Sequence, residues 1–146
     1  MTTRRPLRSE ATVQRQAIKL FAQYGIELTR RNTRVMRVPG KGGRSRLMMF
    51  GKPGDPDSDG TLPGGRRIEV EFKREGWVPA KARGKDLVRW QKQLAHLRKT
   101  NSLGGVGLWL TTPETIHIIA PKLLEGWRID LDENGRQLLT DEPPAP

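Results

Sequence analysis

The sequence predicts a mixed α/β (α+β) domain in which helices flank a central mixed β-sheet. Three observations predict this class. Apolar residues recur at helical spacing near the N-terminus and again after residue 86, the segment RRIEVEFK alternates apolar and charged residues, and GVGLWLTT forms a short, mostly apolar run. The predicted order of elements is α, β, β, β, α, β, with a further β segment after them.

Length and charge narrow the possible functions. The 146 residues suit one ordinary domain, and 27 Lys and Arg against 16 Asp and Glu give a net charge of +11. That surplus favours a polyanionic partner such as nucleic acid. The lack of cysteine excludes disulfides and thiolate metal sites. No signal peptide or membrane-spanning run is visible, so we expect a cytoplasmic protein without a membrane partner (in the host cytoplasm if a phage encodes it).

The first element is a helix that Ser9 caps and that runs to about Tyr24, with Gly25 as its stop. Glu10 precedes Ala17 by seven residues, so it falls on the helix stripe that faces the core. A carboxylate in this position is either a group favoured by the helix dipole or a functional group.

The remaining elements follow from pattern and punctuation. Two short strands are predicted at 33–38 and 46–50, joined by the glycine-rich basic segment PGKGGRS. A helix runs from Asp86 to about Asn101, GVGLWLTT forms a central strand, and TIHIIA pairs back as another strand. The predicted organisation is a basic arm at 1–8, one domain at 9–128, and an acidic, flexible tail at 129–146.

The stretch GDPDSDG, residues 54–60, has the beginning of a calcium-binding loop. With Asp55 as position 1, the glutamate that position 12 requires is replaced by Arg66, and proline occupies position 2. Predicted strands rather than helices flank the segment. A calcium loop of this type is therefore excluded.

Hairpin register gives these aspartates another role. A three-residue turn at 63–65 pairs Leu62 with Arg66 and sets Asp57 opposite Glu71. A two-residue turn would instead turn Leu62 onto the polar face, so the apolar pattern favours the longer turn. The strand RRIEVEFK then has one buried face, and the opposite face carries the charged groups of the hairpin: Asp57, Asp59, Glu69, Glu71 and Lys73.

Paired acids with a nearby lysine suit metal-assisted hydrolysis. Two carboxylates about 4 Å apart repel by roughly 4 kcal/mol at an effective dielectric constant near 20, and a divalent cation reverses the sign. Hard oxygen ligands suit Mg²⁺ or Mn²⁺. Lys73 would hold or deprotonate the attacking water, or neutralise charge on the phosphate. The alternative is a solvated strand face with ordinary Glu–Lys pairs.

The motif Pro56-Asp57 followed by Glu71-Phe72-Lys73 resembles that of the PD-(D/E)xK nucleases. Over roughly residues 9–112 the chain is similar to the archaeal-type Holliday junction resolvases, which also occur in viruses, and to the VRR-Nuc domains common in phages. The segments that carry the likeness are RSEATVQRQAIKLFAQYG, PGKGGRS, GDPD, IEVEFKRE, RWQKQLAHL and GGVGLWL. The resemblance implies a restriction-endonuclease-like αβββαβ core.

The same resemblance implies roles for individual residues. Asp57 and Glu71 would bind Mg²⁺, for which Mn²⁺ would substitute, together with the Phe72 carbonyl. Lys73 would be the catalytic lysine. Glu10 would contribute to the metal site through water or directly.

Three positions leave alternatives open. Gln91 would support the site as in the VRR-Nuc branch, or it is a surface glutamine at the margin of its helix's apolar stripe. The family usually has an apolar residue after the motif aspartate, whereas Ser58 and Asp59 follow here. Asp59 is therefore the second choice of ligand after Asp57, and Asp55 is the third.

The predicted function is that of a Mg²⁺-dependent, structure-specific DNA endonuclease. The first choice is a homodimeric Holliday junction resolvase that acts in recombination and repair through attack by a metal-activated water. The alternatives are a VRR-Nuc-like nuclease for flaps, nicks or duplex DNA, and a non-catalytic basic DNA-binding module. Contacts with DNA are expected from the basic clusters, namely Arg30, Arg31, Arg34, Arg37, Lys41, Arg44, Arg46, Lys81, Arg83 and Lys85.

Overall fold

The computed structural model of the protein describes residues 4–31, 34–50 and 56–142. Within these ranges the elements follow in the order α1 (Glu10–Gln23), β1 (Leu28–Arg30), β2 (Arg34–Pro39), β3 (Ser45–Phe50), β4 (Ser58–Thr61), β5 (Arg67–Phe72), α2 (Gly84–Ser102), β6 (Val106–Leu110), α3 (Ile116–Leu124), β7 (Arg128–Leu131) and β8 (Gln137–Thr140).

The centre of the fold is a four-stranded mixed sheet with the order β1-β4-β5-β6. Strands β5 and β6 are parallel, and the other neighbours are antiparallel. Helices α1 and α3 pack on the apolar face of β5, and α2 lies on its polar face. The mixed α+β class predicted from the sequence is confirmed. None of the helices in the described ranges combines the length and apolar character needed to cross a membrane.

Helix α1 forms as its sequence pattern predicts. The Ser9 hydroxyl accepts a hydrogen bond from the backbone N–H of Thr12 at 3.2 Å, which satisfies one free donor at the helix start. Val13, Ala17 and Phe21 are fully buried against the sheet. The cap and the buried stripe together set the direction in which the first residue of the helix points.

The predicted register of the β4–β5 hairpin is confirmed. Ser58 pairs with Val70, and the backbone N–H of Leu62 donates to the carbonyl of Arg66 at 2.7 Å. The turn between them therefore has three residues, 63–65. One step beyond Ser58 in the same register, Asp57 lies opposite Glu71.

The polar face of β5 is buried, which the alternation of the sequence did not predict. Glu69, Glu71 and Lys73 are 3%, 1% and 5% exposed. A period of two distinguishes the two faces of a strand, but it does not show whether a helix will cover the charged one. Here α2 covers it, so every charge on that face needs a partner within the protein.

The two strands predicted at 33–38 and 46–50 form as β2 and β3, but they pair with each other in a separate hairpin. The central sheet instead uses β1 and β4, and β1 was not predicted. Gly60 in β4 shows how close this pairing is, because a Cβ atom there would lie 2.2 Å from the Glu27 carbonyl oxygen.

The segment TIHIIA is largely helical, so the predicted strand is wrong. Ile116, Ile119 and Leu123 in α3 are buried at the spacing of a helix, whereas Ile118 is 69% exposed. A short apolar run does not distinguish a strand from a buried helix by its period alone.

Strand β6 was predicted to be central, yet it is the last strand of the sheet in the described ranges. Two side-chain amides cover its outer edge. Asn101 donates to the Gly107 carbonyl at 3.0 Å and accepts from its N–H at 2.6 Å. Gln137 makes the same pair of bonds with Trp109, at 2.9 and 2.8 Å. These amides satisfy backbone groups that an exposed edge would offer to another strand.

The predicted C-terminal tail is folded over most of its length. Strands β7 and β8 form a hairpin that packs on α2 and β6, and Ile129 and Leu131 are 4% and 8% exposed. The boundary predicted at residue 128 therefore falls inside the fold, and residues 143–146 lie outside the described ranges. At the other end, the backbone N–H of Arg8 donates to the Glu75 carboxylate at 3.1 Å, so the described part of the basic arm is attached to the domain.

Candidate metal centre

Three carboxylates converge beside the end of β5. One oxygen each from Glu10, Asp57 and Glu71 lies within 4.8 Å of the others. Glu10 is the first residue of α1, Asp57 precedes β4, and Glu71 is the penultimate residue of β5. The fold therefore brings together three residues that are far apart in the sequence, and all three are candidate ligands predicted from the sequence.

Asp57 is held on both its side chain and its backbone. Its Oδ2 accepts the backbone N–H of Phe72 at 2.9 Å, and its carbonyl accepts the N–H of Arg31 at 2.6 Å. The amide of Gln14 donates to the Ser58 hydroxyl at 3.3 Å and approaches the Asp57 carbonyl at 3.5 Å. Gln14 was not predicted, although its position four residues after Glu10 places both on one side of α1.

Glu71 is the most buried of the three acids. Its Oε1 accepts a hydrogen bond from the Gln93 amide at 2.8 Å, and its Oε2 has no hydrogen-bond partner among the described residues. Burial, then the nearby charge of Asp57, raises the pKa of Glu71 to about 10. As two anions these carboxylates repel and neither donates, so a proton between them or a divalent cation relieves the repulsion.

Glu10 forms the open side of the cluster. The residue keeps much of its surface in solvent, although its carboxylate faces the other two acids. Partial burial of the carboxylate, then the charge of Asp57, raises the pKa of Glu10, whereas the charges of Lys73 and Arg89 act in the opposite direction. A molecule from solvent would therefore reach the cluster past Glu10.

Gln93 joins the buried acid to the buried lysine, and this corrects the prediction for Gln91. Lys73 Nζ donates to Gln93 Oε1 at 2.8 Å, and Gln93 Nε2 donates to Glu71. Gln93 is 8% exposed, whereas Gln91 faces solvent. Gln93 lies three residues after Trp90 on the buried stripe of α2, so the stripe itself was the signal that identifies it.

Aromatic rings enclose the lysine. The ammonium of Lys73 lies 4.9 Å from the ring centroid of Trp77 and 5.6 Å from that of Trp90. Trp77, Trp90 and Trp109 pack edge to face against one another, with centroids 4.9 to 5.8 Å apart. Attraction between a cation and the ring faces, together with the bond to Gln93, restricts the ammonium to one position.

Asp59, the second choice of ligand, lies outside the carboxylate cluster. Its Oδ2 contacts Arg67 at 2.7 Å and Arg31 at 3.0 Å. Two guanidinium groups therefore already neutralise it. Asp57 is the aspartate that the structure brings to Glu71, and Asp55 lies outside the described residues.

Glu69 is buried but fully partnered. Its carboxylate pairs with Arg67, with His96 Nε2 at 2.5 Å and with the Thr100 hydroxyl at 2.9 Å. Burial acts to raise the pKa of Glu69, but the hydrogen bonds from Arg67 and Thr100 outweigh it, so the pKa lies below its ordinary value.

The basic residues predicted to bind DNA occupy three places. Arg30 and Arg31 are exposed at the end of β1, next to Asp57. A second group lies exposed just before α2 and in its first turn, namely Lys81, Arg83 and Lys85. The third group belongs to the β2–β3 hairpin, and it comprises Arg34, Arg37, Lys41, Arg44 and Arg46.

The chain matches no protein-family model, no curated protein and no solved structure. What the site can do therefore rests on the geometry of its own residues.

Proposed function

We propose that this protein is a Mg²⁺-dependent, structure-specific DNA endonuclease, with the four-way junction as its preferred substrate. The observation that carries the proposal is the meeting of Glu10, Asp57 and Glu71 within 4.8 Å, next to a buried lysine. The order of the elements supports it too. With the β2–β3 hairpin set aside, α1, β1, β4, β5, α2 and β6 follow in the order α, β, β, β, α, β that the resemblance implies.

The donor set fits a hard divalent cation. Three carboxylates supply hard oxygen atoms. Oε2 of Glu71 accepts no hydrogen bond from the described residues, and a bound cation would take the place of the missing donor. The Phe72 carbonyl is a further candidate, because the N–H and C=O of one strand residue point to the same neighbour and the Phe72 N–H points to Asp57. Glu10, Asp57, Glu71 and the Phe72 carbonyl would hold Mg²⁺, and Mn²⁺ would substitute.

The residues around the cluster have separate tasks. A bound divalent cation supplies Lewis-acid polarisation of the phosphodiester and a more acidic water. The Lys73 ammonium holds the attacking water or neutralises charge that develops on the phosphate. Gln93 fixes the distance between this ammonium and Glu71 by bonding to both. The exposed side at Glu10 admits the phosphate.

DNA is the proposed substrate because of the charge around the site. The net charge is +11, the N–H of the exposed Arg31 donates to the Asp57 carbonyl, and the charge of Arg89 acts on Glu10. If about six phosphates are contacted, the logarithm of affinity should fall against the logarithm of salt concentration with a slope near −5. A homodimer suits a four-way junction because both have two-fold symmetry and resolution needs two cuts.

Cleavage assays with Mg²⁺ on four-way, flap, nicked and linear DNA test the proposal. We expect cleavage of the junction, its loss in Asp57→Asn and Glu71→Ala, and retained DNA binding in both variants. Glu125→Gln, which removes an exposed acid next to α3, is the control and should cut normally.

Each other result has a defined meaning. Cleavage retained in both site variants contradicts the metal centre. Preferred cleavage of flaps, nicks or duplex supports the VRR-Nuc-like alternative over the resolvase. Binding without cleavage by the wild type, with every divalent ion tried, supports a non-catalytic DNA-binding module.

A further inference from the structure

We infer that the β2–β3 hairpin, residues 34–50, is an arm that binds duplex DNA about six base pairs from the cleaved phosphate. We call residues 34–50 the arm, which is separate from the basic N-terminal arm at residues 1–8. The inference rests on the proposed function, because it assumes that DNA reaches the carboxylate cluster. It adds to that function the place, reach and polarity of a second contact.

Topology places the base of the arm beside the site. In the part of the chain that the structure describes, neither β2 nor β3 pairs with the four-stranded sheet. The strands before and after the arm, β1 and β4, pair directly with each other, and Arg30 lies opposite Ser58. The N–H of Arg31 donates to the carbonyl of Asp57 at 2.6 Å. The arm is thus an insertion that leaves the sheet next to a proposed metal ligand.

The arm is purely cationic. It contains no acidic residue, and its five cations are Arg34, Arg37, Lys41, Arg44 and Arg46. The register spreads them from base to tip, since Arg34 pairs with Phe50 at the base, Arg37 with Leu47 in the middle and Val38 with Arg46 nearer the tip. Cations at successive levels of a ribbon allow contacts with successive phosphates of a duplex.

Strand length sets the reach of the arm. Each strand has six residues, which at about 3.3 Å per residue span about 20 Å. Successive phosphates of one DNA strand are about 3.4 Å apart along the helix axis. The tip of the arm therefore reaches about six base pairs beyond the point where the arm leaves the sheet. The major groove accommodates a two-stranded β ribbon.

The tip suits close approach to DNA. Gly42 and Gly43 have φ values of 73° and 74°, a left-handed conformation that other residues rarely adopt. Without Cβ atoms, the backbone between Lys41 and Arg44 can approach a phosphate closely. A second copy of the chain is the less favourable occupant, because each copy has a net charge of +11 and cations would face cations.

Binding measurements on the full chain test the arm. The variant Lys41→Gln/Arg44→Gln removes the two tip cations, and Lys19→Gln/Lys99→Gln removes two exposed helical cations as a matched control. Both variants are compared with the wild type for binding to two four-way junctions, in EDTA to prevent cleavage. The DNA arms of the long-armed junction have about 20 base pairs and extend beyond the calculated reach of about six base pairs. Those of the short-armed junction have about five base pairs and end within that reach. Sedimentation and thermal unfolding of each variant report assembly and folding.

We expect the tip variant to bind the long-armed junction at least about fivefold more weakly, with a salt slope smaller in magnitude by about 2. Its binding to the short-armed junction should equal that of the control. Equal affinities of the tip variant and the control on long arms overturn the inference, as does an equal loss on both lengths. A change in assembly state with unchanged DNA affinity overturns it too, and assigns the arm to contact between copies.

Cleavage, measured separately with Mg²⁺, distinguishes failure of the arm from failure of the nuclease. If the wild type cuts no DNA but the tip variant loses affinity for the long-armed junction, the DNA-binding role of the arm is supported and the proposed nuclease activity is refuted. If the wild type cuts junctions and the tip variant binds like the control, the nuclease activity is supported and the role of the arm is refuted.

Discussion

The β4–β5 hairpin carries two acid pairs, two residues apart along the strands, and in each pair one acid lies opposite the other. One pair is neutralised by arginine, whereas the other is not. Asp59 and Glu69 share Arg67, and Arg31 and His96 add further contacts. Their neighbours Asp57 and Glu71 lie on the same face of the sheet, but the hydrogen bonds that the structure describes to their carboxylates come from the Phe72 N–H and the Gln93 amide.

The comparison shows that the counter-charges within reach, rather than the residue types of the acids, decide what an acid pair does. The pKa of Glu69 falls below its ordinary value, whereas the pKa of Glu71 rises to about 10. The first pair stabilises the fold through satisfied hydrogen bonds. The second pair costs stability, because folding either places two anions side by side or requires Glu71 to hold a proton, and a bound cation would relieve this cost.

We expect the largest effect from neutralising Asp57 or Glu71, the pair that shares no arginine among the described residues. Asp57→Asn and Glu71→Gln should each lower kcat for DNA cleavage by at least about a hundredfold, a size typical of losing one electrostatic group at a reacting centre. In EDTA near pH 7 both should unfold at a higher temperature than the wild type, because folding no longer has to place a proton on Glu71 or bring two anions together. Cleavage kinetics and thermal unfolding measure the two effects, and a lower melting temperature with unchanged kcat would contradict both.

Gln93 provides a second test, with its neighbour as the control. Gln93→Ala leaves buried groups of Lys73 and Glu71 without partners, which should cost about 1–3 kcal/mol in the free energy of unfolding. We expect kcat to fall at least about tenfold with little change in KM. Gln91→Ala, on the exposed side of the same helix, should change neither quantity. Equal effects of the two substitutions would show that Gln93 has no special role.

The raised pKa of Glu71 predicts an unusual dependence of stability on pH. Between the ordinary pKa of 4.5 and the folded value of about 10, the folded state binds more protons than the unfolded state. In EDTA, Glu71 should therefore lower the free energy of unfolding as pH rises, by up to about 1.4 kcal/mol per pH unit. Denaturant titrations of the wild type and Glu71→Gln from pH 6 to 9 measure the difference in slope. Mg²⁺ should flatten the wild-type curve, and identical slopes for both proteins would refute the prediction.

The smallest expected effect comes from the neutralised pair. Arg67→Met removes the guanidinium that Asp59 and Glu69 share and should cost about 1 kcal/mol, because the arginine side chain is 48% exposed and solvent screens it. Adding Glu69→Gln should restore part of that loss. Cleavage by both variants should stay near the wild-type rate, since neither changes the Asp57–Glu71 cluster. A large loss of kcat in Arg67→Met with normal stability would show that the two pairs act together.

Several local features of this fold could be predicted from the sequence alone. The Ser9 cap, the stop of α1 after Gln23 and the three-residue turn at 63–65 follow from side-chain chemistry and apolar period within a few residues. From that register alone, Asp57 and Glu71 had to face each other. The same short-range signals left TIHIIA ambiguous, because a short apolar run suits either a strand or a buried helix.

The groups that surround those acids depend on tertiary packing. Packing brought Arg31 to the Asp59 carboxylate and covered the charged face of β5 with α2, which placed Gln93 between Lys73 and Glu71. The physical reason is that the rotation of a helix on a sheet, and the reach of side chains from distant elements, depend on packing of the whole domain. The local sequence pattern does not specify that packing. The packing in turn sets the distances and burial that determine the strength of electrostatic interactions.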